Sequence, residues 1–162
     1  MLLGIDPGLT GAVALIDGAG RFVMVEDMPT MPRSTASKSA KVRNQINAAA
    51  LAQLLRPWAP EVGVAILEQV GTRPGQDAST TGSLMHSLGV IEGVLASLGI
   101  PVVMVSPVAW KKAARLGPDK DQSRALAQRY FPEASLARVK DHNRAEALLL
   151  ARHGLMKGGL GA

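Results

Sequence analysis

Cysteine is absent from this 162-residue chain, and aromatic residues are scarce. Without cysteine there is no disulfide scaffold, no cysteine-ligated zinc or iron–sulfur site and no thiol nucleophile. Aromatics make up 3% of the residues, just Phe22, Trp58, Trp110, Tyr130 and Phe131. A protein that stacks single-stranded bases on aromatic platforms needs more of them. The sequence holds no uninterrupted apolar run of about 18 residues or more, so no membrane span is expected. The opening MLLGIDPG lacks the basic start and long apolar stretch of a signal peptide. Together with the missing cysteines, this suggests a cytoplasmic protein. Acidic residues are outnumbered: 18 Lys and Arg against 13 Asp and Glu give a net charge of +5 and a pI near 10.0. Such a balance suits a polyanionic partner, with duplex nucleic acid the first candidate. Hydrophobic residues at 47% and a mean hydropathy of +0.14 describe a globular chain. Domains run about 100–150 residues, so one domain over 1–153 is expected, followed by a flexible glycine-rich tail over 154–162.

Met1 to Asp6 is a short apolar run stopped by Asp-Pro-Gly, the pattern of a strand that ends in a turn. Thr10 to Asp17 reads as a second strand and Arg21 to Met28 as a third, joined through Asp17-Gly18-Ala19-Gly20. Two short glycine-containing connections in succession predict a three-stranded antiparallel meander. Pro29 to Arg43 carries Arg33, Lys38, Lys41 and Arg43 with no acid, and reads as an exposed loop. Leu51, Leu54 and Leu55 predict a helix over Asn47–Arg56, and Glu61–Val70 a buried strand. Leu84, Leu88, Ile91, Leu95 and Leu98 recur at alternating steps of four and three, which makes 80–99 the clearest helix. Ile100–Val105 is another buried strand. Short helices follow at about 107–115 and 119–131, then an amphipathic one over 141–153. Strands joined by helical crossovers run parallel. The expected fold is therefore α/β, a mixed five-stranded sheet with a three-stranded meander, two parallel strands and helices on both faces.

Two acids sit at strand ends: Asp6 after the first apolar run, and Glu68 after Val64-Ala65-Ile66-Leu67. Read singly, Asp6 caps a turn and Glu68 pairs with an arginine. If the strands are neighbours, the two carboxylates lie side by side and repel unless a cation separates them, which favours a hard divalent metal. A third group lies in Lys140-Asp141-His142-Asn143-Arg144-Ala145-Glu146. On a helix, His142 lies about 40° from Glu146 and Asn143 about 60° away. Asp141 would lie about 140° away unless it is the N-cap. Ala145 and Ala147 keep the helix surface low, so that it can approach a site closely.

Gly4-Ile5-Asp6-Pro7-Gly8-Leu9-Thr10-Gly11, Glu68-Gln69-Val70 and Arg144-Ala145-Glu146-Ala147-Leu148-Leu149-Leu150-Ala151 resemble the RuvC-type Holliday junction resolvases of the RNase H-like superfamily. The resemblance runs over nearly the whole chain and extends to Ser106-Pro107-Val108-Ala109-Trp110-Lys111-Lys112 and Asp119-Lys120-Asp121-Gln122-Ser123. Gly-Gln-Asp at 75–77, Gly-Ser-Leu-Met at 82–85 and the Trp-Lys pair resemble the plastid-type and phage-type branch in particular.

The resemblance implies an RNase H-like fold and an endonuclease that resolves four-way junctions by paired symmetric nicks, leaving 5′-phosphate and 3′-hydroxyl ends. It also implies two Mg²⁺ ions per site, replaceable by Mn²⁺ and held by Asp6, Glu68 and Glu146. The family's fourth ligand comes from the turn before Glu146. Where an aspartate is usual three residues earlier, this chain has Asn143, so His142 is the first substitute and Asp141 the reserve. An imidazole ligand is softer than carboxylate and favours Mn²⁺. Gly71 stands where bacterial relatives carry an aromatic. Lys111, Lys112 and Lys120 are implied at the phosphate, Lys120 as a catalytic group, while Arg33, Lys38, Lys41 and Arg43 are candidates to grip a second DNA arm. A two-fold junction calls for a homodimer, with Gly82, Gly89 and Gly93 on the long helix as the candidate interface. The alternatives are a non-catalytic branched-DNA-binding module on the same fold, and an RNA–DNA hybrid nuclease. An actin-like phosphotransferase would need a second phosphate loop that the sequence does not show.

Overall fold

A computed structural model describes residues 1–33, 43–71, 78–117 and 119–158, with Lys120 placed in a helix but its side chain outside the description. Five strands form one mixed sheet: β1 (Leu2–Asp6), β2 (Ala12–Ile16), β3 (Phe22–Asp27), and, after a further pair described below, β6 (Val64–Glu68) and β7 (Val102–Val105). Their order across the sheet is β3-β2-β1-β6-β7. β1 pairs antiparallel with β2, and β2 with β3. β1 and β6 run parallel, as do β6 and β7.

Strand alternation sorts the core into two layers. Leu3, Ile5, Val13, Leu15, Ala65 and Leu67 point to one face, under α1 (Ala48–Leu55) and α2 (Ala78–Ser97). Leu2, Ala12, Ala14, Ile16, Val64 and Ile66 point to the other, under α3 (Pro107–Ala113), α4 (Lys120–Tyr130) and α5 (His142–Met156). The polar positions at helix starts behave as caps: Asn47, Ser106 and Asp119 each accept a backbone N–H of the first turn, at 3.0, 3.2 and 2.9 Å.

The placement of α5 depends on small residues. A Cβ on Gly4 would lie 2.0 Å from the carbonyl oxygen of Ala147 and 2.5 Å from the nitrogen of Ala151. Helix backbone therefore rests directly on strand backbone, an approach only glycine facing alanine permits. At the far end of the helix, a Cβ on Gly154 would come within 2.5 Å of Ile66. That contact explains why α5 runs on to Met156, beyond the expected end at residue 153: Gly154 is a buried packing position and does not break the helix.

The segment read as a plain loop over 29–43 also departs from expectation at its two ends. β4 (Thr30–Pro32) and β5 (Asn44–Ile46) pair antiparallel in a separate two-stranded sheet, Thr30 opposite Ile46 and Pro32 opposite Asn44. Three-residue strands flanked by proline leave no periodicity to read. Just past this ladder the Arg33 N–H donates to the Arg43 carbonyl at 2.7 Å, which sets the two arginines side by side. Lys38 and Lys41 lie outside the described residues.

Candidate active site

Alternation also decides where the acids go. Leu2 and Gly4 face α5, so Asp6 does as well; Val64 and Ile66 face it, and so does Glu68. The parallel register sets Ile5 opposite Leu67, one step before the two carboxylates, and brings Asp6 and Glu68 to adjoining strand ends. Glu146, buried in the first turns of α5, comes down on them from above.

The three acids are held differently. Glu68 Oε1 accepts the indole Nε1–H of Trp110 at 2.8 Å. Trp110 is fully buried, and a buried indole N–H normally finds a partner. Glu146 Oε1 accepts from Lys111 Nζ at 2.9 Å and from the buried Ser123 hydroxyl at 3.4 Å. Asp6 receives the N–H of Gly8, and its pKa is nonetheless pushed up from 3.8 to about 7. Burial is the largest cause, followed by the negative charges of Glu68 and then Glu146; Lys111 opposes them only weakly. The site thus gathers carboxylates at a cost that the chain's own cations do not cancel.

Neighbouring residues fix the frame. Asn143 Nδ2 donates to the Thr10 carbonyl, tying the first turn of α5 to the turn after Asp6. Arg144 pairs with Asp27 on β3 through its Nε. Asp141 does not cap α5. Its buried carboxylate turns back to the Arg138 N–H at 2.7 Å and the Arg138 guanidinium at 2.7–2.8 Å. Burial alone would raise the Asp141 pKa, but these bonds and the charge of Arg138 hold it below the ordinary carboxylate range. Asp141 is therefore committed to arginine. His142 opens α5 half-exposed, its Nδ1 3.1 Å from the Val139 carbonyl oxygen.

Of the candidate DNA contacts, Lys111 lies in the site, Lys112 is exposed beside it on α3, and Arg33 and Arg43 are exposed at the mouth of the β4–β5 ladder. Lys120 is the first residue of α4. Sequence spacing does not mark Trp110 and Ser123 as partners of Glu68 and Glu146. The available signal was a tryptophan next to a lysine implied at the phosphate: a buried indole needs an acceptor, and Glu68 is a nearby one.

The donors suit a hard divalent ion in kind, being carboxylate oxygens that repel one another, in a chain without cysteine. Among the described residues, no three carboxylate or imidazole groups are drawn together closely enough to coordinate one ion as they stand. The Lys111 ammonium occupies Glu146 Oε1, so metal entry would require that side chain to move.

A five-stranded mixed sheet flanked by helices, with acids at the ends of two central parallel strands, is a fold that this chain shares with solved RuvC structures. The chain is similar to Thermus thermophilus RuvC in complex with a Holliday junction substrate, with 17% sequence identity and a TM-score of 0.67 over 99% of this chain and 96% of that one. It is also similar to a structure of T. thermophilus RuvC at 15% identity and a TM-score of 0.57, covering 97% and 96% of the two chains. No protein-family model and no curated protein sequence matches it.

Proposed function

We propose that this protein is a metal-dependent endonuclease that resolves four-way DNA junctions by paired nicks. One observation carries the reading: Asp6, Glu68 and Glu146 converge on one face of the sheet, where burial and then the charges of Glu68 and Glu146 push Asp6 up to about 7. A module that only binds DNA needs cations and gains nothing from crowding acids beside them. The likeness to a RuvC solved with a Holliday junction substrate supports a junction as the DNA form.

Asp6, Glu68 and Glu146 would hold Mg²⁺ or Mn²⁺, with His142 the candidate further ligand. Bound divalent ions would supply a water nucleophile active at neutral pH and charge stabilisation at the leaving oxygen. The chain's own groups do the rest. Trp110 aims the Glu68 carboxylate through its N–H, and Ser123 fixes Glu146. Lys111 pairs with Glu146 in the resting site and is placed to turn to the scissile phosphate, where its charge would stabilise the crowded transition state. Lys112 and Lys120 would hold the same strand, while Arg33, Lys38, Lys41 and Arg43 grip flanking DNA.

Two symmetric nicks call for two sites, which a homodimer supplies. Gly82, Gly89 and Gly93 of α2 support it: a Cβ at each would meet nothing within 4 Å among the described residues. Each glycine costs a helix about 1 kcal/mol relative to alanine, and close packing among the described residues offers no reason for any of the three. A partner helix lying against that smooth stripe does.

The test is a labelled four-way junction incubated with the protein and Mg²⁺. Symmetric nicks that ligate into intact duplexes are expected. Equal cutting of linear duplex would overturn the junction reading, preferential cutting of RNA–DNA hybrid would favour the hybrid nuclease, and binding without cutting would favour the binding module.

A further inference from the structure

An open cleft of about 450 Å³ lies directly behind the Asp6 turn, between Gly8–Thr10 and the first half of α2, with Arg43 at its side. Its lining carries one guanidinium, that of Arg43, and five hydroxyls, on Thr10, Ser79, Thr80, Ser83 and Ser87. Leu9 and Leu84 supply the apolar part, and none of the described lining residues is acidic. Arg43 Nη1 donates to Ser79 Oγ at 2.6 Å, which joins the β5 side of the cleft to α2. Ser87 is buried, which places a hydroxyl in the wall away from solvent.

The wall shared with the active site is informative. The same turn gives the Gly8 N–H to Asp6 and the Thr10 carbonyl to Asn143, and its other side lines the cleft. A molecule in the cleft would therefore sit one turn of backbone from the carboxylates. The volume falls within the usual range of ligand sites, about 300–1,000 Å³. A metal ion would need acids here, and a lining of one guanidinium and five hydroxyls suits a polar, anionic ligand. One guanidinium among neutral hydroxyls, with no competing carboxylate among the described lining residues, matches a single phosphodiester and its sugar: the fork of Arg takes phosphate oxygens, and hydroxyls donate to phosphate or accept from sugar.

We propose that this cleft binds one phosphodiester and its sugar on the cut strand, next to the phosphate presented to Asp6, Glu68 and Glu146. The proposal rests on the junction-nuclease reading and deepens it. It assigns Arg43 to the strand being cut and not to a second arm, and gives Ser79 and Ser83 a role in holding that strand.

The experiment is equilibrium binding of a fluorescent four-way junction without divalent metal, at NaCl from about 50 to 200 mM, the range over which phosphate contacts reveal themselves. Arg43→Ala should reduce the slope of log affinity against log salt by about one, the signature of one lost phosphate contact. Arg43→Lys should restore the slope. Ser79→Ala with Ser83→Ala should weaken binding and leave the slope unchanged, since no charge is removed. A junction carrying a neutral methylphosphonate at the phosphate flanking the cleavage point should bind wild type and Arg43→Ala alike, because the partner of Arg43 is then gone. An unchanged slope in Arg43→Ala, or an Arg43 effect that survives the methylphosphonate on both sides of the cleavage point, overturns the cleft assignment while the nuclease reading stands. A wild-type chain that binds no junction overturns both.

Discussion

Replacing Asp6 with asparagine should stabilise the metal-free protein at alkaline pH while abolishing cleavage. The carboxyl is raised from 3.8 to about 7 by burial and by the charges of Glu68 and Glu146. A raised acid binds its proton more tightly in the folded state, so folding is penalised wherever that proton has been lost. The penalty is nearly absent below pH 4, grows as pH rises towards 7, and is complete above it. At about 1.4 kcal/mol per pH unit, the full span is worth about 4 kcal/mol at pH 8. Asparagine is neutral throughout and keeps an oxygen for the Gly8 N–H. For a chain of this length about 1 kcal/mol moves Tm by 2–4 °C, so Asp6→Asn should melt roughly 10 °C above wild type at pH 8 and close to it at pH 4. Saturating Mg²⁺ should close the gap by raising wild type alone, since a bound cation relieves the repulsion. The assay is a pair of thermal melts at each pH, with and without the metal. An equal Tm difference at pH 4 and pH 8, or a destabilised variant at pH 8, would refute the reasoning.

Other positions give sharper or simpler outcomes. Gly4→Ala places a Cβ 2.0 Å from the Ala147 carbonyl oxygen, and should lose more than about 3 kcal/mol in chemical denaturation, with α5 displaced. Asp141→Ala removes the nearer of the two carboxylates paired with Arg138, leaving Asp27 at 3.5 Å, and should cost about 2 kcal/mol at pH 7. Because the Asp141 pKa is depressed, that contribution is present above the ordinary carboxylate value and fades as pH falls through the folded one, so wild type and variant should converge in acid denaturation. The same variant should leave Mn²⁺ affinity intact in calorimetric titration, whereas His142→Ala should weaken it; the reverse order would make Asp141 the ligand. Gly89→Ala should raise helix stability by roughly 1 kcal/mol in an isolated subunit. Gly89→Leu should shift a dimer to monomer in sedimentation velocity, and an unshifted dimer would move the interface elsewhere.

The fold was legible wherever burial imposed a simple period. Apolar runs ending in Asp6 and Glu68 gave the two central strands, and their parity alone sends both acids to the same face. The leucine seam of 84–98 marked α2. What stayed hidden was set by tertiary contact. β4 and β5 are too short to carry a pattern and exist because Thr30 to Pro32 finds Asn44 to Ile46. Gly154 resembles a helix breaker in sequence and becomes a packing surface only when Ile66 is beneath it. In the site, Glu68 is partnered by Trp110, 42 residues away, and Glu146 by Lys111, 35 residues earlier. Local spacing cannot show such pairs. The choice between His142 and Asp141 illustrates the same limit: both lie near Glu146 in sequence, but Arg138 takes up Asp141, a contact that helix geometry from 142 onward does not contain.

The central claim is that Asp6, Glu68 and Glu146 act together as the metal-dependent cutting centre. Its most direct test is junction cleavage in Mg²⁺ by wild type beside Asp6→Asn, Glu68→Gln and Glu146→Gln, with junction affinity measured for all four. The account predicts paired nicks from wild type alone, while the three variants still bind the junction. Any variant that binds and nicks at the wild-type rate would contradict it.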